Sequence, residues 1–594
     1  MACLTICICG FRCCLPACRR MRPELVRVCG GFALLAAGFV PAPPAWADWS
    51  LPPELATDYT PHPVATGRHS MAVTANPHAT EAALAILREG GSAVDAAIAA
   101  QMVLGLVEPQ SSGIGGGGLM LYFDARRGRV HAFDGRETAP QTATARQFRD
   151  AAGRPLGVRE AVRDPRAVGT PGLVAMLALA HRSAGRLPWA RLFTSAIRLA
   201  EEGFPVSPRL HALLAAEGRF VDPSAQALFF DADGAPRPVG YRLRNPALAD
   251  SLRRIAELGP RELYRGELAG AIRDAVRGSL SADVADARGL LGYPDLAGYV
   301  ALRRDAVCRP YKAYRVCGFP PPGSGATTVL ATLGIWRQLA GGEARPGTEA
   351  FAHRFAEAGR LAYADRAGCV GDPAFDPVPV AAMLDPAYLA GRASTVGERA
   401  APRRTGGLGC GEGGNNDERP STTHLSIVDA AGNAVALTSS VEDAFGNRRM
   451  AGGFMLNNQL TDFSTESANR IEPGKRPRSS MAPTLVFDRR GLYAVLGSPG
   501  GSQIPNFVSQ ALIGLLDWRM APAEIVAQPR LGNRNGPTEV ERGRVDAALV
   551  DGLRARGHEV REVDMTSGLA LVVRNGRGWT GAADPRREGR AGGD

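Results

Sequence analysis

The chain has 594 residues, 45% of them hydrophobic, and carries a formal net charge of +10. This length and composition suit a large folded core and exclude a wholly disordered protein. The basic residues are dispersed and are not interleaved with aromatic residues. We therefore expect no nucleic-acid partner.

The first 47 residues predict a secretory signal. A basic start at Met21 is followed by a short apolar run and by the pattern Ala-Trp-Ala at 45–47, which predicts cleavage before Asp48. Residues 1–20 are interpreted as an upstream extension. The apolar run is interrupted by prolines and is too short for a membrane anchor. A periplasmic or secreted protein without a stable membrane anchor is expected.

Four cysteines lie beyond the signal, at positions 308, 317, 369 and 410. In an exported protein Cys308 and Cys317 could close a hairpin with a disulfide, and two free buried thiols are the alternative. The sequence leaves the pairing of Cys369 and Cys410 open. No cluster of Cys or His has metal-ligand spacing, so no metal or other cofactor is expected.

The first half of the chain reads as mainly helical. Asn76 to Pro109 predicts two helices joined at Gly90-Gly91, and residues 170–400 keep helical spacing with Pro and Gly breaks. Between them, "SSGIGGGGLMLYFD" predicts a glycine turn that leads into a strand. These glycines precede a strand and do not open a helix, which argues against a dinucleotide-binding site.

After a glycine-rich linker, Thr405–Ser421, the period changes from helical to that of strands. A sheet core with helical layers, formed as one interleaved domain, is expected. The predicted hairpins are Thr422–Val428 with Asn433–Val441, and Thr484–Phe487 with Leu492–Leu496. An amphipathic helix is predicted for "IPNFVSQALIGLLDW", which begins at Ile504.

The first hairpin begins on Thr422, directly after the linker. A threonine hydroxyl becomes a useful nucleophile when the threonine is an N-terminus, because its own α-amine can then act as the base. This chemistry requires a cut between Ser421 and Thr422, which the same hydroxyl could make. The alternative is an ordinary strand residue, since threonine favours strands.

Two further stretches could take part in catalysis or ligand binding. "GSPGGS" lies between a strand and a helix, where the amides of Gly500 and Gly501 could bind an oxyanion. Arg136 in "FDGRETAP" could bind a carboxylate with both arms of its guanidinium. Taken alone, the first is better read as a plain strand-to-helix turn and the second as a surface ion pair.

Together these signals resemble the γ-glutamyltranspeptidase family. The motifs that carry the resemblance are "GIGGGGLMLYFD", "DGRETAP", "TTHLSIVDAAGNAVALT", "GFMLNNQLTDFS", "KRPRSSMAPT" and "GSPGGS", and it extends from about Ala65 to near the C-terminus. It implies an α+β fold, the αββα sandwich of N-terminal-nucleophile hydrolases. It also implies a precursor that cleaves itself into a large subunit, 48–421, and a small subunit, 422–594.

The resemblance further implies a γ-glutamyl-enzyme formed from glutathione or another γ-glutamyl donor, with water, an amino acid or a peptide as acceptor. The implied roles fall into three groups. They are Thr422 as nucleophile with Ser440 in support and Gly500 and Gly501 as oxyanion hole; Arg136 with Ser479 and Ser480 for the α-carboxylate; and Gln459, Asp462 and Glu442 for the α-ammonium.

Alternatives remain at this stage. Related acylases remove glutaryl-type side chains from β-lactams and share many of these motifs, and an inactive periplasmic binding protein on the same fold is a third interpretation. Many family members also carry an aromatic lid after Asp462. Here the segment Phe463–Gly474 is short and has no Tyr or Trp, so the lid is expected to be absent.

Overall fold

The computed structural model describes residues 56–594 except 58, 151, 279–288, 342, 412–420 and 465–466. The predicted signal, the start at Met21 and most of the glycine-rich linker lie outside the described residues. Within the described part of the chain, no helix is long and apolar enough to cross a membrane.

Short strands occur along the whole described chain. In chain order they are β1 (Ala65–Gly67), β2 (Met71–Thr74), β3 (Gly117–Asp124), β4 (Arg129–Gly135), β5 (Phe204–Pro205), β6 (Arg242–Leu243), β7 (Leu302–Asp305), β8 (Val307–Tyr311), β9 (Tyr314–Gly318), β10 (Ser421–Val428), β11 (Ala434–Glu442), β12 (Met450–Ala451), β13 (Phe454–Met455), β14 (Thr484–Asp488), β15 (Gly491–Gly497), β16 (Leu531–Asn533), β17 (Thr538–Glu541), β18 (Val560–Val563), β19 (Ala570–Asn575), β20 (Gly578–Ala583) and β21 (Arg590–Gly593).

Helices dominate between β4 and β10, as the periodicity predicts. They are α1 (Pro77–Arg88), α2 (Ala93–Val107), α3 (Val158–Arg163), α4 (Leu173–Ala184), α5 (Thr194–Glu202), α6 (Pro208–Glu217), α7 (Pro223–Phe229), α8 (Pro246–Leu258), α9 (Arg261–Arg265), α10 (Glu267–Arg277), α11 (Tyr293–Gly298), α12 (Gly325–Leu339), α13 (Glu349–Cys369), α14 (Val380–Met383), α15 (Pro386–Ala393), α16 (Ile504–Leu516), α17 (Pro522–Ala527) and α18 (Ala547–Ala555).

Two antiparallel sheets form the centre of the molecule. The first has the order β21-β2-β10-β11-β3-β4-β7, and the second has the order β1-β20-β19-β15-β14-β9-β8. Strands β10 and β11 pack against β15 and β19, so the sheets face each other. Helices α2 and α4 cover the first sheet, and α12, α16 and α17 pack on the second. Each sheet combines strands from before and after residue 421, so both parts of the chain contribute to the sandwich.

The sandwich follows from strand alternation. In β3, Met120 and Tyr122 lie in the core shared with the helices of the first layer. Their neighbours Leu119 and Leu121 lie in the core between the two sheets. Successive side chains point to opposite faces of a strand, so a strand that is apolar on both faces must be covered on both.

The predicted helix pair at 76–109 is confirmed as α1 and α2. Asn76 caps α1 by accepting a hydrogen bond from the His78 amide. Gly90 has φ of 84°, a conformation that glycine adopts without strain, and it ends the first helix. The side chains of Ser92 and Asp95 then form a capping box that starts α2.

Both predicted hairpins are confirmed as β10–β11 and β14–β15. The prediction of an amphipathic helix at Ile504 is wrong in one respect. Helix α16 is present, but every residue from Ile504 to Leu516 is buried. It lies between the second sheet and the helices α12 and α17, which leaves it no face toward solvent.

Cys308 and Cys317 form a disulfide between the paired strands β8 and β9. Cys369 at the end of α13 is bonded to Cys410, a pairing that the sequence left open. Cys410 lies within the predicted linker, Thr405–Ser421. This second disulfide therefore ties the start of the linker to the helical layer.

Candidate active site

The ends of four strands lie side by side at one end of the first sheet. Thr422 at the start of β10 lies opposite Ser440 near the end of β11, and Ser440 lies opposite Gly117 at the start of β3. Gly118 pairs with Gly135, the residue before Arg136. Since neighbouring strands are about 4.8 Å apart, the backbones of Thr422 and Arg136 are separated by roughly 14 Å.

The hydroxyl groups of Thr422 and Ser440 and the carbonyl of Ser421 form a buried triangle. Ser440 Oγ donates a hydrogen bond to Ser421 O at 2.7 Å. Thr422 Oγ1 donates to Ser440 Oγ at 3.4 Å, and the Glu442 amide donates to the same oxygen at 2.9 Å. The Thr422 hydroxyl and a donor to the Ser421 carbonyl oxygen thus lie on either side of the peptide bond between Ser421 and Thr422.

Thr422 faces the second sheet. By alternation His424 shares this face, and its ring lies against Gly497 of β15, where a Cβ would be 2.3 Å from His424 Cε1. The next residue on the other face, Thr423, pairs with Ser439, whose hydroxyl donates to Gln101 of α2. Only one of the two threonines therefore points toward the interior between the sheets.

His424 does not supply a general base. Its Nδ1 lies 2.8 Å from Thr438 Oγ1 and its Nε2 lies 3.1 Å from Ser426 Oγ. Burial lowers the pKa of His424 to about 3, so the ring is neutral and its nitrogens are occupied. The Thr422 carbonyl accepts a hydrogen bond from Arg587 Nη1 at 3.3 Å.

The glycine run before β3 serves close packing. A Cβ on Gly116 would lie 2.2 Å from the carbonyl oxygen of Ser440, and one on Gly117 would lie 2.5 Å from Glu137 Oε2. Side chains at these positions would displace the strand that carries Ser440 or the carboxylate that follows Arg136. The structure thus gives these glycines a role in packing the site.

Arg136 is buried and held on three sides. Its Nε donates to Pro477 O at 3.0 Å, and Nη2 donates to Arg478 O at 2.7 Å and to Asp462 Oδ2 at 2.5 Å. Nη1 lies 3.4 Å from Glu137 Oε2. The guanidinium is thereby fixed with its charge facing the carboxyl groups of Asp462 and Glu137 in a buried region.

Asp462 joins Arg136 to a second polar group. Gln459 Nε2 donates to Asp462 Oδ2 at 2.6 Å. Asn469 donates to the Asp462 carbonyl at 2.7 Å and accepts a hydrogen bond from the Arg478 amide at 2.7 Å. The structure therefore brings Arg136, Gln459 and Asp462 into one network, with Asn469 as a fixed support.

Glu442 ends β11 in an unusual backbone conformation. Its φ is 83°, a left-handed value that a residue with a side chain adopts only at a cost, and a register shift occurs where it pairs with Ser421. Asn458 Nδ2 donates to the Glu442 carboxylate. Glu442 thus lies next to the Ser421–Thr422 bond and is connected to the segment that carries Gln459.

Ser479 and Ser480 lie next to the network of Arg136, Asp462 and Gln459, which is called the clamp below. The Ser479 carbonyl accepts hydrogen bonds from the amide and hydroxyl of Ser324, and its hydroxyl accepts one from the Met481 amide at 3.2 Å. Ser480 Oγ accepts a hydrogen bond from Arg366 at 2.7 Å. Both hydroxyls are thus engaged with protein groups beside Arg478, whose carbonyl holds Arg136.

Gly500 and Gly501 form the turn between β15 and α16. Their φ values of 131° and 55° are the kind that glycine tolerates. The next residue, Ser502, is fixed from two sides, because its carbonyl accepts a hydrogen bond from Tyr363 and its hydroxyl accepts one from Arg534 at 2.6 Å. The turn is therefore rigidly supported.

The sequence profile described as Gamma-glutamyltranspeptidase matches residues 79–593. The chain belongs to the γ-glutamyltranspeptidase family. It is 34% identical to the glutathione hydrolase proenzyme of Escherichia coli strain K12, over 95% of this chain and 97% of that protein. It is also 34% identical to the acylase ACY 1 proenzyme of Pseudomonas sp. strain V22, over 88% of this chain and 93% of that protein.

Solved structures of the family share the fold. The cephalosporin acylase from Bacillus halodurans superposes with a TM-score of 0.79 at 28% identity, covering 90% of this chain and 97% of that one. The Helicobacter pylori γ-glutamyltranspeptidase superposes with a TM-score of 0.52 at 31% identity, covering 56% of this chain and 94% of that one. The expected N-terminal-nucleophile αββα fold is confirmed.

The segment after Asp462, which is predicted to lack an aromatic lid, is a compact turn in its described residues. The Ser464 amide donates to Asn469 O at 3.0 Å, and the Gly474 amide donates to Ala139 O at 3.0 Å. Phe463 is half-buried and packs against Leu460. The loop "PPPGSGATT", which could otherwise cover the site, is buried and pairs with Ser479.

Glu137 is a site residue that the sequence analysis did not single out, although it lies in the quoted motif "DGRETAP". It is fully buried, and burial raises the pKa of its carboxyl to about 8 against the opposing effect of Arg136. Its Oε1 has no hydrogen-bond partner among the described residues. Asn458 and Asn469 were likewise not singled out, because their partners Glu442, Asp462 and Arg478 lie 7 to 16 residues away at spacings that no sequence motif marks.

Proposed function

We propose that the chain is an exported γ-glutamyltransferase and glutathione hydrolase that acts through a γ-glutamyl ester of Thr422. The proposal rests on the Arg136–Asp462–Gln459 network, which lies at the same end of the first sheet as Thr422. The cation suits a carboxylate, and the adjacent acid and amide suit an ammonium. Such a pair recognises the zwitterionic end of a glutamyl group.

Maturation begins with the attack of Thr422 Oγ1 on the carbonyl carbon of Ser421. Ser440 donates to the oxygen that becomes the oxyanion, which lowers the barrier. The peptide C–N bond breaks, its nitrogen takes the hydroxyl proton, and Ser421 becomes esterified to Thr422. Water hydrolyses this ester and leaves subunits 48–421 and 422–594, with a new α-amine on Thr422.

The free α-amine then serves as the base. Its pKa of about 7.7–8.0 leaves part of it neutral near pH 7.5. It accepts the hydroxyl proton while Oγ1 attacks the γ-carbonyl carbon of the donor, and the oxyanion faces the amides of Gly500 and Gly501. The departing amine takes the proton, and an ester remains on Thr422.

Water or the amine of an amino acid or peptide then attacks this ester. Hydrolysis releases glutamate, whereas transfer forms a new γ-glutamyl amide, and Thr422 regains its proton in both cases. An exported location agrees with the two disulfides, which persist in oxidising compartments. The predicted signal at 1–47 supports the same location.

A glutaryl or β-lactam-type amide acylase is the second candidate, because an acylase proenzyme and a cephalosporin acylase are among the similar proteins. The two candidates differ in whether the α-ammonium of the donor is recognised. We expect γ-glutamyl anilide to exceed glutaryl anilide by at least about tenfold in kcat/KM, equivalent to one charged hydrogen bond. Equal values for these two donors would favour the acylase and reject the proposed recognition of glutamate.

A further inference from the structure

A separate cleft lies between α4, α9 and the segment that follows α11. Its volume is about 340 Å³, and none of its lining residues belongs to the site described above. This volume falls within the range of small-molecule sites, which is about 300–1,000 Å³. The cleft is therefore large enough for a compact organic ligand.

Two stacked tyrosines form the apolar part of the cleft. The rings of Tyr264 and Tyr299 are 5.7 Å apart and nearly parallel, with an interplanar angle of 9°. Tyr264 donates its hydroxyl proton to Pro171 O, and Tyr299 donates to Arg136 O at 2.7 Å. Since both hydroxyls are bonded to the backbone, the rings present apolar carbon to the cleft together with Leu179 and Ala178.

Three arginines surround this apolar surface. Within the described part of the chain, Arg182 and Arg261 make no hydrogen bond or ion pair, whereas Arg265 donates twice to Ala297 O. Among the described residues that line the cleft, none carries a carboxylate. The rim is strongly cationic, and guanidinium groups are well suited to carboxylate ligands.

Two acids of this region pair with another arginine. Glu262 on α9 and Glu267 at the start of α10 both pair with Arg254. Among the described residues, neither forms an ion pair with Arg182, Arg261 or Arg265. This arrangement leaves the cleft with a positive rim over an apolar floor.

Two exposed apolar side chains belong to the part of the chain that lines this cleft. Val300, which lines it, is 63% exposed, and Tyr293, whose hydroxyl donates to Arg265 O, is 42% exposed. They extend the apolar surface that a ligand could cover.

We propose that this cleft binds a small amphipathic carboxylate, with its apolar body on the tyrosines and its carboxylate between Arg182 and Arg261. The proposal concerns binding alone and does not depend on the proposed catalytic function. The site is connected to the clamp, because Tyr299 holds the carbonyl of Arg136.

The test is calorimetric titration of the full-length processed protein with 1-naphthaleneacetate. The matched probe is 1-naphthylmethylammonium, which has the same ring and the opposite charge. We expect the carboxylate to bind and the ammonium to bind at least about tenfold more weakly, as for a charged hydrogen bond. Failure of the carboxylate to bind at millimolar concentration, or equal binding of the two probes, overturns the proposal.

Variants locate the binding in this cleft. The double change Arg182→Gln/Arg261→Gln should weaken naphthaleneacetate at least about tenfold, and Arg182→Lys/Arg261→Lys should restore part of the affinity. Arg126→Gln, on the β3–β4 turn, is the matched control and should bind as the unchanged protein does. If the double Gln variant keeps its melting temperature and binds with unchanged affinity, the proposed site is wrong.

Discussion

The Ser440 hydroxyl donates a hydrogen bond to the carbonyl oxygen of Ser421, the residue before the proposed cleavage point. This single contact connects the strand pairing of β10 and β11 to the chemistry of maturation. The register that places Thr422 opposite Ser440 also places the donor on the carbonyl that Thr422 would attack.

Replacing Ser440 should therefore slow maturation. Ser440→Ala removes the donor to the future oxyanion, and we expect self-cleavage to slow by about 10²–10³-fold. Ser440→Thr keeps a hydroxyl at this position and should recover most of the rate. The measurement is the time course of subunit appearance on denaturing gels after refolding. Equal rates for the Ala and Thr variants would remove Ser440 from the mechanism.

The clamp can be tested by changing the shape of its cation. Arg136→Lys keeps the charge but loses the fork that bonds Pro477, Arg478 and Asp462. We expect kcat/KM for γ-glutamyl anilide to fall. The loss of transition-state stabilisation should be at least about 1.5–3 kcal/mol. Arg126→Lys on the β3–β4 turn is the control. Normal kinetics in the Arg136 variant would contradict a role in donor binding.

Glu137 gives a prediction of pH dependence. Burial raises the pKa of its carboxyl from 4.5 to about 8, so the folded state favours the protonated form. This contribution to stability is fully present below pH 4.5 and is lost as the pH rises through about 8. We expect the melting temperature of the unchanged protein to fall more between pH 5 and 8 than that of Glu137→Gln. If the melting temperatures of the two proteins fall by the same amount between pH 5 and 8, the result would argue against the raised pKa of Glu137.

The short segment after Asp462 predicts an open site. Without Tyr or Trp in Phe463–Gly474, the γ-glutamyl-enzyme should remain accessible to water, because closure is what usually excludes it. We expect substantial glutamate release from glutathione even with glycylglycine present, and tolerance of bulky donor groups. The two products should be followed together. Strong dominance of transfer at low glycylglycine, with rejection of large leaving groups, would indicate a closed site.

Local patterns predicted the strands and helices that position the site. Alternation and turn residues identified β10 and β11, and the caps at Asn76 and Ser92 agree with the two helices read from the sequence. Helix α16 shows the limit of this reasoning. Its few polar residues suggested a solvent face, but those residues are buried, and α12, which lies far away in the chain, packs on the helix together with α17.

The partners of site residues could not be predicted in the same way. Arg136 meets Asp462 across a separation of 326 residues, and only the fold brings them together. The pairing of Cys369 with Cys410 and the support of Ser502 by Tyr363 depend equally on long-range packing. The resemblance to the family indicated most of the candidate site residues, whereas Glu137 was identified only from its burial in the structure.

The account depends most directly on Thr422 being both the cleaving group and the new N-terminus. The decisive measurement is a denaturing gel with N-terminal sequencing of the purified protein and of Thr422→Ala. We predict two chains in the unchanged protein, the smaller beginning at Thr422, and a single inactive chain in the variant. Cleavage of Thr422→Ala at the same bond, or a small subunit that begins at another residue, would contradict the account.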